Sequence, residues 1–263
     1  FSSDTRGDWC RDLDVSLMTD RPEAEVLYYV GCAGSFDDRG IQISRAIVNV
    51  LKKADVDFAI LGAEERCNGD MARRAGNEYL AQMMIQEQVD VFSQYKPKKI
   101  LTGCPHCFNV FKNEYGQFGA GYNVVHHSEF FLELTKQNRL KPKDAKLEKL
   151  TFHDSCYLGR WNGLIDAPRE LLRLLGSSRN LIEMKRAKTK GLCCGAGGAR
   201  MFMEETIGKR INTERAQEII ASGATEVAAA CPYCITMLRD GLADLNRNIA
   251  VRDIAEIIDE NTS

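Results

Sequence analysis

The sequence has no run of about 18 uninterrupted apolar residues, the length a membrane-spanning helix needs, and Phe1-Ser2-Ser3-Asp4 lacks the basic-then-apolar layout of a secretion signal. These residues are therefore expected neither to cross a membrane nor to direct export. An initiator methionine is missing too, which points to processing, or to a longer polypeptide whose upstream part is not shown. No charge of one sign dominates. Its 35 basic and 37 acidic residues are well mixed and leave a formal −2, giving no electrostatic case for nucleic acid or an anionic lipid surface. Two cofactor signatures are absent as well. No C-x-x-C-H segment accompanies Met201-Phe202-Met203, so that run reads as core packing rather than heme ligation. Gly195-Ala196-Gly197-Gly198 lacks the G-x-G-x-x-G spacing of a phosphate loop, and the neighbouring cysteines explain those glycines better.

What is present is cysteine, ten in 263 residues, in a chain whose 44% hydrophobic content suffices for one large domain or two ordinary ones. Disulfide-dense scaffolds are usually too small to build a core. Here the core is available and the cysteines fall in tight C-P-x-C and C-C groups, so metal ligation is the better reading.

The chain is a duplication. Cys104-Pro105-His106-Cys107 and Cys231-Pro232-Tyr233-Cys234 are offset by 231 − 104 = 127, and the same offset carries Cys67 onto Cys194 and Glu129-Phe130-Phe131 onto Glu256-Ile257-Ile258. Near the start of each copy the offset is 124, taking Cys32 onto Cys156 and Arg45 onto Arg169. We expect a lead-in over 1–22, a first cysteine-rich domain over 23–140 and a second over 148–263, with the boundary in the polar, turn-forming stretch Asn138–Lys149.

Each copy alternates short apolar runs with amphipathic ones. Strands are predicted at Glu25–Val30, Phe58–Leu61, Lys99–Thr102, Leu150–Asp154 and Glu226–Ala230. Helices are predicted on the face carrying Ile41, Ala46, Ile47, Val50 and Leu51, and over Met71–Phe92, Cys107–Tyr115, Pro168–Leu175 and Arg200–Ser222. The expected fold is α/β, two tandem small parallel-sheet units. Ligands of such sheets sit beyond the carboxyl ends of the strands, where Cys32, Cys104, Cys156 and Cys231 each follow an apolar run.

Copy two supplies Cys156, Cys193, Cys194, Cys231 and Cys234; copy one supplies Cys32, Cys67, Cys104 and Cys107, with Arg66 where the first of an adjacent pair would stand. Thiolates suit zinc, copper(I) and iron-sulfur clusters, and adjacent cysteines cannot easily chelate one tetrahedral ion because their side chains diverge. A multi-iron cluster relieves that difficulty, and Gly191, Gly195, Gly197 and Gly198 let backbone approach it closely. Pro105 and Pro232 fix the turns of the C-P-x-C groups. For copy one, structural zinc is a serious rival, since four thiolates would satisfy a tetrahedral ion. Cys10, outside the repeat, reads as an ordinary thiol. His106 reads as packing, because its counterpart is Tyr233, and His126, His127 and His153 as hydrogen-bonded structural histidines. Arg160 and Arg200 are either stabilisers of an anionic cluster or surface charges.

From about Val26 to Ile258 the arrangement resembles the cysteine-rich CCG domain of heterodisulfide reductase catalytic subunits and related iron-sulfur oxidoreductases, glycolate oxidase iron-sulfur subunits among them. Gly31-Cys32-Ala33-Gly34, Cys104-Pro105-His106-Cys107-Phe108-Asn109, Cys156-Tyr157-Leu158-Gly159-Arg160 and Cys193-Cys194-Gly195-Ala196-Gly197-Gly198 resemble one membrane-anchored branch, which passes electrons between electron-transfer flavoprotein and quinone. The resemblance implies a noncubane 4Fe-4S cluster on Cys156, Cys193, Cys194, Cys231 and Cys234. For copy one it leaves a cubane 4Fe-4S cluster, zinc or nothing, because Arg66 departs from the pattern. It also implies an oxidoreductase electron-transfer role and a flavoprotein donor. Further iron-sulfur or heme domains would lie in the same polypeptide or complex, and the position would be cytoplasmic, peripheral to the inner membrane through a missing upstream part. A heterodisulfide or thiol reductase module and a zinc-stabilised interaction module are the alternatives.

Overall fold

The computed structural model describes residues 4–143, 149–175 and 181–263. Each copy builds a parallel sheet of four strands. In copy one these are β1 (Val26–Tyr29), β2 (Phe58–Ala59), β3 (Ile100–Thr102) and β4 (Val124–His126), in spatial order β2-β1-β3-β4. In copy two, β5 (Leu150–Phe152), β6 (Leu181–Ile182), β7 (Glu226–Ala229) and β8 (Ala250–Asp253) repeat that order as β6-β5-β7-β8. The central strands are buried, as continuous apolar runs such as Val26-Leu27-Tyr28-Tyr29 require when helices cover both faces. The chain leaves the first strand in one direction and returns to the third on the other side. A crevice therefore opens between β1 and β3, and between β5 and β7, at their carboxyl ends.

The helices make the two copies one body. In copy one they are α1 (Gly31–Phe36), α2 (Asp38–Lys53), α3 (Asp70–Arg74), α4 (Glu78–Tyr95), α5 (Pro105–Asn109) and α6 (His127–Lys136). In copy two they are α7 (Cys156–Gly159), α8 (Asp166–Leu174), α9 (Ile211–Ser222), α10 (Pro232–Asp244) and α11 (Ile254–Glu260). The packing is reciprocal: α2 lies on α11, and its repeat equivalent α8 lies on α6. Arg39 of α2 pairs with Glu256 of α11, and Lys53 with Asp259 at 2.7 Å. His127 of α6 meets Asp253, the N-cap of α11, at 2.9 Å with both side chains fully buried. One apolar core runs through this seam, from Val50 and Phe131 of copy one to Leu172 and Ile258 of copy two.

Several elements depart from expectation for local reasons. Met71–Phe92 is two helices, α3 and α4, because Gly76 at φ +87° ends the first and Asn77 caps the second by accepting from the Leu80 amide. Cys107–Tyr115 begins as α5 at Pro105 and continues as one π-helical turn over Val110–Glu114. Of Arg200–Ser222 only Ile211–Ser222 is α-helical; Arg200–Phe202 is a single 3-10 turn. Of Met201-Phe202-Met203, expected as core packing, only the partly buried Met201 packs against the core, while Phe202 and Met203 are 68% and 50% exposed. Strands β4, β6 and β8 lie outside the predicted strands. The expected boundary stretch is described through Lys143 and again at Lys149, and Pro142 bridges to Thr262. Residues 144–148, including the start of the second unit at 148, lie outside the described residues, as do Phe1, Ser2 and Ser3 of the lead-in.

The α9–α10 contact depends on one glycine. A Cβ at Gly241 would stand 2.5 Å from the Asn212 carbonyl oxygen, a backbone atom that cannot step aside. Gly241→Ala should cost about 1–3 kcal/mol by forcing the helices apart, seen as a lower denaturant midpoint at unchanged m-value.

Candidate metal centre

Both cysteine sets sit in the crevices that the strand order creates. In copy two, Cys156 opens α7 directly after β5, Cys231 is the N-cap of α10 after β7, and Cys234 lies in the first turn of α10. Pro232 occupies the first helical position, where its missing N–H costs nothing. Cys193 and Cys194 arrive on the loop after the 3-10 turn Lys188–Lys190. The five thiols lie in series, each affecting the ionisation of the next: Cys156 with Cys193, Cys193 with Cys194, Cys194 with Cys234, Cys234 with Cys231. Gly195, at φ +95°, turns the chain so that its N–H donates to Cys193 Sγ at 3.3 Å.

The row polarises itself. Thiols donated by Cys156 and Cys194, with the Gly195 amide, drive Cys193 far below the ordinary thiol range, while the contact with Cys193 and then burial push Cys156 far above it. Five sulfurs in series, two from adjacent residues, exceed the four positions of a tetrahedral ion and fit a centre of several metal atoms.

His153, fully buried at the end of β5, has a ring nitrogen within 4.8 Å of the Cys194 and Cys234 sulfurs. Its Nδ1 accepts from Arg215 Nε at 3.1 Å. Burial first, and then the charge of Arg215, hold its pKa down at about 3, so the imidazole is neutral. Arg160 donates to the Gly191 carbonyl, two residues before Cys193, and the exposed Arg200 pairs with Glu205 at 3.4 Å.

In copy one, Cys32 lies in the first turn of α1, Cys67 follows the 3-10 turn Gly62–Glu64, Cys104 is the N-cap of α5 and Cys107 is in its first turn. Cys32, Cys67 and Cys107 line one small internal cavity together with Asp70, His106 and Tyr233. Burial opposes ionisation of Cys104, yet the Cys107 thiol, the charge on His106 and the amides of His106 and Cys107 lower it to about 7. Glu65, fully buried, accepts from the Val30 and Gly31 amides at 2.8 and 3.0 Å and pairs with Arg6 of the lead-in at 2.6 Å, fixing the Cys32 turn. Arg66 turns away; its guanidinium bonds the Ala63 carbonyl. Cys10 stands apart from both sets, bonded to the Gly7 carbonyl.

The sets face each other, and the middle residues of the two C-P-x-C groups cross between them. Helix α5 touches α7, and α10 touches α1. Tyr233 meets Cys32 Sγ at 3.1 Å. His106 pairs with Asp70 at 2.8 Å and packs on Tyr157, beside Cys156, and on Tyr233, with ring centroids 4.4 and 5.2 Å apart. Burial works against a charge on His106, but Asp70 and then the thiols Cys104 and Cys231, one from each set, raise its pKa to about 9. The packing role expected for His106 thus understates it: a cationic imidazole lies between the two sites.

A cysteine-rich domain model, CCG, matches residues 26–112 and 150–239. The EtfAB:quinone oxidoreductase of Syntrophomonas wolfei is 42% identical over 97% of this chain and 36% of its own length. The probable iron-sulfur-binding oxidoreductase FadF of Bacillus subtilis is 42% identical over 90% of this chain and 34% of its own. One polypeptide of the dihydromethanophenazine:CoB–CoM heterodisulfide reductase of Methanosarcina mazei is 30% identical over 90% of this chain and 59% of its own. The chain thus spans about a third of the first two relatives. With two matched segments, each holding three strands of one sheet and one cysteine set, the chain belongs to the CCG cysteine-rich domain family and carries the domain twice.

Proposed function

We propose that the chain is the iron-sulfur electron-transfer module of an oxidoreductase. In this reading Cys156, Cys193, Cys194, Cys231 and Cys234 hold a noncubane 4Fe-4S cluster, and Cys32, Cys67, Cys104 and Cys107 hold a second centre, a cubane cluster or zinc. Such clusters supply one-electron redox chemistry, with potentials set by hydrogen bonds to sulfur, burial and net charge. The observation that carries the proposal is the reciprocal contact of Tyr233, His106 and Tyr157, which puts packed side chains between the two thiol sets. The cationic His106 and the buried Arg6 offset negative charge at these sites. The names of the relatives support a flavoprotein donor and a quinone-linked acceptor. Other iron-sulfur or heme domains would complete the enzyme, which would sit on the cytoplasmic side and reach the membrane through another segment or partner. No helix among the described residues is long and apolar enough to cross it.

A second reading, reduction of a disulfide or thiol substrate, is favoured by one feature. A groove of about 220 Å³, lined by Phe36, Met201, Phe202 and Tyr233, leads from the surface to Cys32.

Anaerobically prepared protein should contain iron and acid-labile sulfide and give an EPR signal that changes on reduction by a flavoprotein. The stoichiometry decides whether copy one holds a cluster. Zinc alone, without an EPR signal after reconstitution, would overturn the proposal. A spectrum that shifts on adding thiols or disulfides would favour the second reading. Cys10→Ser should leave iron and sulfide unchanged; loss of a cluster there would show that the repeat is misassigned.

A further inference from the structure

We infer that His153 donates a hydrogen bond to sulfur of the copy-two centre, and that Arg215 fixes the tautomer that makes this possible. Three observations carry it. His153 is fully buried with its Nε2 unpartnered among the described residues, a costly arrangement unless something accepts from it. A ring nitrogen stands within 4.8 Å of the Cys194 and Cys234 sulfurs. The other nitrogen, Nδ1, accepts from Arg215 Nε, and a neutral imidazole accepting at Nδ1 carries its proton on Nε2.

That tautomer also separates donor from ligand. A histidine bound to a metal gives its remaining N–H to a carbonyl, carboxylate or water. The remaining nitrogen here faces a guanidinium N–H, which can only donate. Arg215 donates to the Arg186 carbonyl at 2.8 Å and to Glu218 at 2.5 Å, which holds its Nε–H on Nδ1. His153 therefore reaches sulfur through a proton rather than reaching iron through a lone pair. In copy one the equivalent positions, 153 − 124 and 215 − 127, hold Tyr29 and Gln88. Tyr29 spends its hydroxyl on the Arg66 carbonyl at 2.8 Å, so the device belongs to copy two alone.

A donor to cluster sulfur favours the more negative, reduced state, so His153 is a positioning and tuning residue whose loss lowers the potential. The inference rests on copy two being a cluster site, and the two are tested separately. Iron and sulfide analysis of the Cys32→Ser, Cys104→Ser protein asks first whether copy two alone assembles a cluster; failure there overturns both. With a cluster in place, His153→Leu should reduce the reduced-to-oxidised ratio at fixed potential about tenfold, ~59 mV for a one-electron couple. His153→Gln, which restores an N–H, should recover part of the shift. An unchanged potential in His153→Leu overturns the inference. Should the variants not fold, pulsed EPR of the wild-type protein labelled with ¹⁵N-histidine decides: weak coupling is the expected result, strong coupling means direct ligation, and no coupling means a purely structural histidine. Either of the last two overturns it.

Discussion

Cys194→Ser should strip the copy-two centre while leaving the fold in place. Cys194 is 3% exposed and is the middle of the row, touching Cys193 on one side and Cys234 on the other. Serine has nearly the same shape, so the packing of α10 against the Cys193 loop survives, at a cost of about 1–3 kcal/mol for a hydroxyl short of partners. As a ligand, however, a buried hydroxyl stays protonated where a thiol ionises, and the row is broken at its centre. Iron and sulfide should fall by one cluster's complement, the copy-two EPR signal should vanish or change type, and far-UV circular dichroism should be unchanged. Any copy-one signal should persist. An unaltered copy-two spectrum would remove Cys194 from the ligand set.

The second large effect is on stability. Arg169→Met should destabilise the protein by about 3–5 kcal/mol, because it leaves Asp154 as a buried carboxylate without its counter-charge. The pair is bidentate at 2.7 and 2.9 Å, with side chains only 1% and 4% exposed, and Asp154 also accepts the Lys188 amide that opens the loop to Cys193. Burial raises the Asp154 pKa, but Arg169 outweighs it and the folded value falls below 3.8. The carboxylate's contribution is thus present in full above about pH 4 and fades as the pH falls through the folded value. The deficit of the variant should narrow in acid, as chemical denaturation of wild type and variant across that range would show. Arg45, its repeat equivalent, is an internal control. It pairs with Asp12 of the lead-in at the surface, and Arg45→Met should cost less than about 1 kcal/mol. Equal losses in the two variants would refute this account.

The repeat, the two sheets and the placing of cysteines at strand ends were legible because one offset in number implies one offset in space. Short edge strands were not. The exception is β2, expected over Phe58–Leu61 and found at Phe58–Ala59; the two residues Leu181–Ile182 carry no period, and only their parallel pairing with β5 defines them. The break after Arg74 was legible in principle, since Gly76-Asn77 combines a helix stop with a cap. The α-helix expected from Arg200 followed apolar periodicity into a segment that exposes those residues instead. The role of His106 could not be read locally. Its partners Tyr157 and Tyr233 come from the other copy, and so does the Tyr233 contact with Cys32 across 201 positions. Arg215 was hidden by distance within copy two: nothing in its own helix marks it as the partner of a histidine 62 residues earlier.

Had two identical chains assembled about a twofold axis, whatever residue crossed in one direction would have to cross in the other. Linking both copies in one polypeptide lifts that constraint, and positions 106 and 233 have parted company, an imidazolium going one way and a phenol the other. The midpoint between the sites is consequently electrically lopsided. The two sites therefore do not face mirror images of one another: an imidazole ring packs toward one and a phenol hydroxyl reaches the other.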